Sequence, residues 1–204
     1  MEYKPQNKTA RAGKSYPDRS TLSLYASRIP WLLFLMLSST LTGTVISAFE
    51  SAISTSIYLT AFIPMLMGTG GNAGSQASVT VIRALSLGEI TPSSLLYVIR
   101  KELRVALLSA LLLGVVAYGK IYLFDCFIFR SISEGEAVYA APVVALSLFF
   151  TVLIANGIGA TLPFLAKKLR IDPAVMASPF ITTAVDTISL VLYFEVARFL
   201  IPGM

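Results

Sequence analysis

Residues 138–165 read VYAAPVVALSLFFTVLIANGIGATLPFL, a stretch of 28 residues without a charged side chain. A helix needs about 20 apolar residues to cross the hydrocarbon core of a bilayer, which is about 30 Å thick. A helix of a soluble bundle would instead carry one polar and one apolar face. The stretch therefore predicts a transmembrane helix.

Four further stretches are apolar over a similar length: residues 29–49, 57–82, 103–124 and 175–200. The chain is 55% hydrophobic and 13% charged, whereas soluble domains average about 25% charged residues. We therefore predict an all-α membrane protein with five transmembrane helices in residues 29–204. Residues 1–28 form a basic N-terminal segment, in which residues 21–28 are expected to make a short interfacial helix that leads into Pro30 and Trp31, where proline suits a helix start.

The basic residues are distributed unevenly between the two sides of this arrangement. Thirteen precede the first span or fall in connections on the same side, and three fall on the other: Lys120, Arg130 and Arg198. Basic residues mark the cytoplasmic side, which predicts a cytoplasmic N-terminus and an extracytoplasmic C-terminus. The net charge of +5 then reflects topology and contact with anionic lipid, and no nucleic-acid partner is expected.

Acidic residues in the spans are the first candidates for a functional site, because a charge in hydrocarbon is costly. Glu50 and Glu195 fall near the outer ends of spans and are assigned to an outer mouth. Asp186 falls near the middle of the last span, where an ionised side chain costs ~2.5–3.5 kcal/mol. Spacings of three and four residues place a polar stripe on its helix face, with Thr183 beside it: Ser178, Thr182 and Ser189.

A second polar concentration, GTGGNAGSQ, occupies residues 68–76 of the second span. Its glycines allow neighbouring backbones to approach, or expose carbonyls to a water-filled cavity. No strand precedes it and no Gly-Lys-Ser/Thr closes it, so nucleotide binding is not expected. We assign five of its residues to the lining of an ion pathway: Gly68, Gly71, Asn72, Ser75 and Gln76.

Small residues recur at four-residue spacing in two other spans. Ser39, Gly43 and Ser47 form one such stripe, and Thr151, Ala155 and Gly159 form the other. Both are typical of helix-packing faces. Residues 156–159, Asn-Gly-Ile-Gly, are expected to break or bend the fourth span.

The available ligands are carboxylate, hydroxyl, amide and carbonyl oxygens, since the chain has no histidine and a single cysteine, Cys126. Oxygen ligands suit Mg²⁺, Ca²⁺ or Mn²⁺ and disfavour Zn²⁺ or Cu⁺. One carboxylate is too few to strip Mg²⁺ of its waters, so Asp186 is expected to hold a hydrated ion. Two copies on an axis would supply two carboxylates. No enzymatic activity is expected.

The sequence PMLMGTGGNAGSQ at residues 64–76 closely resembles the second transmembrane helix of MgtE-type magnesium channels. The resemblance continues through residues 155–159 and the helix of Asp186, and covers about residues 28–202. It implies a homodimer of five-helix subunits with the second and fifth helices lining a pore on the dimer axis. It also implies that Asp186 holds hydrated Mg²⁺, that Thr182 contributes its backbone carbonyl, and that Asp172 lies at the cytoplasmic mouth.

By this resemblance, the expected function is passive Mg²⁺ permeation across a prokaryotic inner membrane. The alternative is a cation-coupled Mg²⁺ exchanger. Family members typically carry cytosolic superhelical and CBS domains that close the pore when internal Mg²⁺ is high. The sequence contains no counterpart of them, so transport by this chain is expected to lack that feedback.

Overall fold

A computed structural model describes residues 19–171 and 173–203, with the side chains of residues 174–179 left out. The chain divides into two compact units, Met1–Leu37 and Ser38–Met204. Within the described ranges every regular element is helical. The α-helices are α1 (Thr21–Ala48), α2 (Glu50–Thr55), α3 (Ile63–Ser86), α4 (Leu95–Lys120), α5 (Glu134–Lys168) and α6 (Pro173–Leu200). Two 3₁₀ segments, Ile57–Phe62 and Pro92–Ser94, and a π-helical segment, Ile121–Ile128, lie between them.

Helix α1 runs without interruption through Pro30. Residues 21–28 and the predicted first span thus belong to one helix, which does not begin at Pro30 as predicted. Proline removes a single hydrogen bond of the helix, and membrane helices accommodate that loss. No residue of α1 is buried, and a β-carbon on Gly43 would have no heavy atom within 4 Å. The predicted packing stripe of α1 is not used within the described chain.

Helix α5 is the centre of the second unit and packs against α3, α4 and α6. It begins at a capping box, in which the Ser133 hydroxyl accepts from the Glu136 N–H and the Glu136 carboxylate accepts from the Ser133 N–H at 2.7 Å. This arrangement satisfies two backbone donors at a helix start. The helix stays continuous through residues 156–159, so the predicted break is wrong. The Asn156 amide donates to the Val152 carbonyl of its own helix and does not interrupt it.

Glycines bring α3 close to α5. A β-carbon on Gly74 would lie 2.9 Å from the carbonyl oxygen of Ala155, and one on Gly159 would clash with the carbonyl oxygen of Gly74. Atoms at such separations cannot coexist without backbone movement. The predicted close approach of backbones at residues 68–74 is confirmed, as is the packing stripe that includes Ala155 and Gly159.

Four helices of the described residues are long and apolar enough to cross a membrane: Thr21–Ala48, Pro92–Ile128, Glu134–Lys168 and Phe180–Leu200. Helix α3, which corresponds to the predicted second span, is not among them. Its 24 residues are long enough, at about 36 Å, but its glycines and polar side chains lower its apolar content.

The connection between α3 and α4 turns at Gly88, whose φ of 73° lies in the left-handed region that glycine adopts without strain. This confirms the chain break predicted between the second and third spans. The turn gathers the end of α3, the start of α4 and the end of α5 at what we term the basic end of the bundle, which carries Arg83, Arg100, Lys101, Arg104, Lys167 and Lys168.

Candidate cation site

Asp186 lies on α6 with its side chain half-buried, beside the glycine-rich part of α3. Its Oδ1 lies 4.0 Å from the position that a β-carbon on Gly71 would occupy. The ion pairs of the described residues do not include Asp186. The carboxylate therefore lies beside the α3 backbone at Gly71 and has no ion-pair partner among the residues that the structure describes.

Close packing of α3 on α6 sets this geometry. A β-carbon on Gly70 would lie 2.8 Å from Cγ1 of Val185 and 2.6 Å from Cγ2 of Thr151. One turn further along α3, a β-carbon on Gly74 would lie 2.8 Å from Cγ2 of Ile181. Since α3 has no room for side chains at these positions, α6 is held against it directly before Asp186 and one turn earlier.

The other candidate residues of α6 occupy different environments. Ser189 is 1% exposed and donates its hydroxyl to the Val185 carbonyl, so it lies inside the α3–α6 contact. Thr183 is half-buried, and its carbonyl accepts from the Thr187 hydroxyl at 3.0 Å. Thr182 is exposed, one turn before Asp186. Asp172 and the side chain of Ser178 lie outside the described residues.

The candidate residues of α3 divide between two faces. Gly71 is buried next to Asp186, Ser75 is half-buried one turn further along that face, and Gly68 is exposed with open space around it. Asn72 and Gln76 instead line a separate cavity of about 500 Å³. A step of one residue turns a helix by about 100°, which separates Asn72 from the face of Gly71.

The cavity lined by Asn72 and Gln76 also has an acidic residue in its lining, which the sequence analysis did not identify. Glu102 of α4 lines it together with Asn156 of α5. The sequence predicts the third span at residues 103–124. Glu102 directly precedes this range, and Asp125 directly follows it. The apolar helical region extends over Pro92–Ile128 and includes both. Extending the span by one residue in each direction would have found them.

Asp125 is buried and paired with Lys120, whose Nζ lies 2.7 Å from Oδ2. Lys120 directly precedes the π-helical segment, and Asp125 lies within it, five residues later. Backbone hydrogen bonds of a π-helix span five residues. Lys120 also lies over the ring of Phe62, at 5.6 Å from its centroid. This pair stabilises the end of the bundle opposite the basic end.

The two acidic residues assigned to an outer mouth are both exposed. Glu50 begins α2, and Glu195 lies 3.3 Å from Arg198 on α6. Because the Arg198–Glu195 ion pair is exposed to solvent, Arg198 neutralises the Glu195 carboxylate only in part.

No group of three or more His, Cys, Asp or Glu side chains within residues 19–171 and 173–203 is close enough together to hold a metal ion. A cation at Asp186 would thus meet one carboxylate, with carbonyl and hydroxyl oxygens nearby. Mg²⁺ releases its waters reluctantly and is commonly held by one or two carboxylates through a partly intact water shell. The arrangement suits a hydrated ion better than a dehydrated one.

Comparison with known proteins supports a transport role. The sequence pattern of the MgtE family, described as a divalent cation transporter, matches residues 63–196. The chain is 34% identical over 189 residues to the magnesium transporter MgtE of Thermus thermophilus, a match that covers 93% of this chain and 40% of that protein. It is 34% identical over 192 residues to the magnesium transporter MgtE of Bacillus subtilis, again covering 93% and 40%. The Enterococcus faecalis protein of the same name is 30% identical over 180 residues.

The chain thus spans about two-fifths of the length of these bacterial relatives. The family match runs from the first residue of α3 to near the end of α6, and includes Gly71 and Asp186. It agrees with the four apolar helices and with the prediction of a multi-pass integral membrane protein. The resemblance drawn from residues 64–76 is confirmed, and the chain belongs to the MgtE family of divalent cation transporters.

Proposed function

We propose that this chain passes Mg²⁺ across the membrane through a pore on the axis of a homodimer. In this proposal α3 and α6 line the pore, Asp186 of each subunit holds the hydrated ion, and the backbone carbonyl of Thr182 assists. One observation carries it: Asp186 lies on an apolar helix beside Gly71, which has no side chain, and its carboxylate forms no ion pair with a described residue. Three relatives named as magnesium transporters support the choice of ion.

Charge supports the second subunit. A single Asp186 supplies one negative charge, which half-neutralises a divalent ion, and a net charge inside hydrocarbon is costly. Two copies related by a two-fold axis would supply two. The α3 face that carries Gly68 and Ser75 is open or half-open in the single chain, beside Asp186. That face is the natural surface for a second copy.

The proposal counts α3 as a transmembrane helix in addition to the four apolar ones, which makes five. Its polar residues argue against a position facing lipid, because hydrocarbon offers amide and hydroxyl groups no partners. A pore on one face and the cavity of Asn72 on another would keep those groups hydrated. The N-terminus is then cytoplasmic, with the basic end of the bundle on the same side, in keeping with the bias of basic residues toward that side.

We favour passive permeation over exchange. The membrane potential alone moves a divalent ion inward with about 4.6 kcal/mol per 100 mV, since each elementary charge contributes about 2.3. Measuring Mg²⁺ entry into liposomes, with and without an opposing Na⁺ or H⁺ gradient, separates the two. Entry that follows the potential alone supports the channel, and entry that requires the gradient supports the exchanger. Ca²⁺ and Mn²⁺ uptake in the same liposomes tests selectivity.

The role of Asp186 is tested by Mg²⁺ flux through Asp186→Asn and Asp186→Ala proteins. We expect both to lose at least about ten-fold in Mg²⁺ flux, as each removes the charge that holds the ion. Glu134→Gln is the matched control, because Glu134 is exposed in the first turn of α5 and should leave flux unchanged. Near-normal, Mg²⁺-selective flux in both Asp186 variants would overturn the proposal.

A further inference from the structure

A second polar cavity lies between α3, α4 and α5, away from Asp186. It has a volume of about 500 Å³. Asp186, Thr182, Thr183 and Ser189 of α6 do not line it. The described polar residues around it come from three helices: Thr69, Asn72, Gln76, Thr80, Glu102, Ser109 and Asn156. At about 30 Å³ per water molecule, this volume holds on the order of ten waters or an ion with part of its shell.

Glu102 gives this cavity its charge. It is the acidic member of the lining, and the ion pairs of the described residues do not include it. The basic residues next to it in sequence, Lys101 and Arg104, are exposed and line a different cavity together with Tyr97. Lys101 acts on the Glu102 carboxylate through its charge but makes no ion pair with it, and the described polar residues that line the cavity beside Glu102 are neutral amides and hydroxyls.

Asn156 supplies the second observation that points to a ligand. Its side chain is 7% exposed and lines the cavity. Its Nδ2 donates to the Val152 carbonyl at 2.8 Å, and no donor among the described residues reaches its carboxamide oxygen. This oxygen is not among the enclosed, unpartnered polar atoms of the described residues, so it is accessible from the cavity to an ion or to a water bound to one. The Thr80 hydroxyl donates to the Gln76 carbonyl at 2.9 Å, which leaves its oxygen free to accept as well.

We infer that this cavity binds a monovalent cation such as Na⁺, with Glu102 as its anionic ligand and the side-chain oxygens of Asn156, Asn72 and Gln76 as neutral ligands. Charge decides the valence. One carboxylate and neutral oxygens balance a single positive charge, whereas a divalent ion would leave a net positive charge between apolar helices. The inference does not rest on the proposed pore, because it uses residues on other faces of the bundle.

The test measures the thermal unfolding midpoint of the full chain in nanodiscs as NaCl replaces choline chloride at constant ionic strength, without Mg²⁺. A ligand that binds the folded state raises the midpoint in proportion to the logarithm of its concentration over its Kd. We expect a Na⁺-dependent rise in the unsubstituted protein, and a rise at least about five-fold smaller in Glu102→Gln. Glu89→Gln is the control, because Glu89 is exposed in the α3–α4 connection and should keep the full rise.

Two milder variants keep the inference testable if Glu102→Gln does not fold. Asn72→Ala and Gln76→Ala remove one proposed ligand oxygen each from exposed positions, and each should raise the Na⁺ concentration for half of the effect several-fold. An unchanged Na⁺ response in these variants or in Glu102→Gln would overturn the site. A larger response to MgCl₂ than to NaCl in Asp186→Asn protein would overturn the assignment to a monovalent ion.

The same variants separate this inference from the proposed pore. Asp186→Asn should strongly reduce Mg²⁺ flux and keep the Na⁺-dependent rise of the unfolding midpoint. If Mg²⁺ flux survives in Asp186→Asn, the proposed pore is wrong, and the Na⁺ measurement still tests the cavity. If Glu102→Gln changes the fraction of dimer and leaves the Na⁺ response intact, the cavity is a surface between subunits and the cation site is wrong.

Discussion

Gly159 shows most directly how a single residue controls the separation of helices in this protein. A β-carbon there would clash with the Gly74 backbone, which cannot move as a flexible side chain can. We expect Gly159→Ala to lower the free energy of unfolding by about 1–3 kcal/mol or more, the usual cost of overpacking. The comparison is Gly119→Ala in α4, where a β-carbon meets no heavy atom within 4 Å and alanine should add up to about 1 kcal/mol.

Unfolding midpoints of both variants in detergent test this prediction, and Mg²⁺ flux through Gly159→Ala tests its functional consequence. If α3 is displaced from α5, Gly71 moves relative to Asp186 and flux should fall as well. Equal midpoints for Gly159→Ala and Gly119→Ala would mean that the α3–α5 contact is looser than described.

At the scale of elements, α6 is anchored to the 3₁₀ segment Ile57–Phe62 by a buried hydrogen bond. The Tyr193 hydroxyl donates to the Leu59 carbonyl at 2.8 Å, and Phe194 stacks on Phe49 with ring centroids 4.9 Å apart. Tyr193→Phe removes this hydrogen bond between buried groups, at a cost of about 0.5–1.5 kcal/mol. Tyr97→Phe, at an exposed position, should change stability by less than about 0.5 kcal/mol. Chemical denaturation of the two variants side by side checks the difference.

The π-helical end of α4 allows a comparison of two ion pairs within one chain. Lys120–Asp125 has side chains 39% and 12% exposed, whereas both partners of Arg198–Glu195 are more than half exposed. Asp125→Asn should cost roughly 1–3 kcal/mol, less than a fully buried pair because Lys120 reaches solvent. Glu195→Gln should cost at most about 1 kcal/mol. Equal losses of stability would contradict a structural role for the Lys120–Asp125 pair.

At the scale of the whole molecule, the question is what covers the face of α3 beside Asp186. A two-fold axis there predicts that Ser75→Cys, on a background in which Cys126 is replaced by serine, crosslinks between subunits in the membrane under mild oxidation. Val115→Cys lies on an exposed part of α4 and should remain monomeric under the same conditions. Crosslinking of Val115→Cys in preference to Ser75→Cys would move the axis to α4 and separate it from Asp186.

The sequence by itself determined the helical membrane class and identified Asp186 as the candidate ligand. Crossing hydrocarbon requires length and apolar composition, and both are local properties of the chain, as is a lone carboxylate in an apolar run. Only the tertiary structure decided that Gly71 meets Asp186 while Asn72 and Gln76 join Glu102, and that Ser189 is enclosed in a helix contact. The rotation of α3 about its axis is set by the fit of Gly70 and Gly74 against α5 and α6, residues about 80 to 120 positions away in sequence. Local spacing shows which side chains share a face, but only packing shows what that face meets.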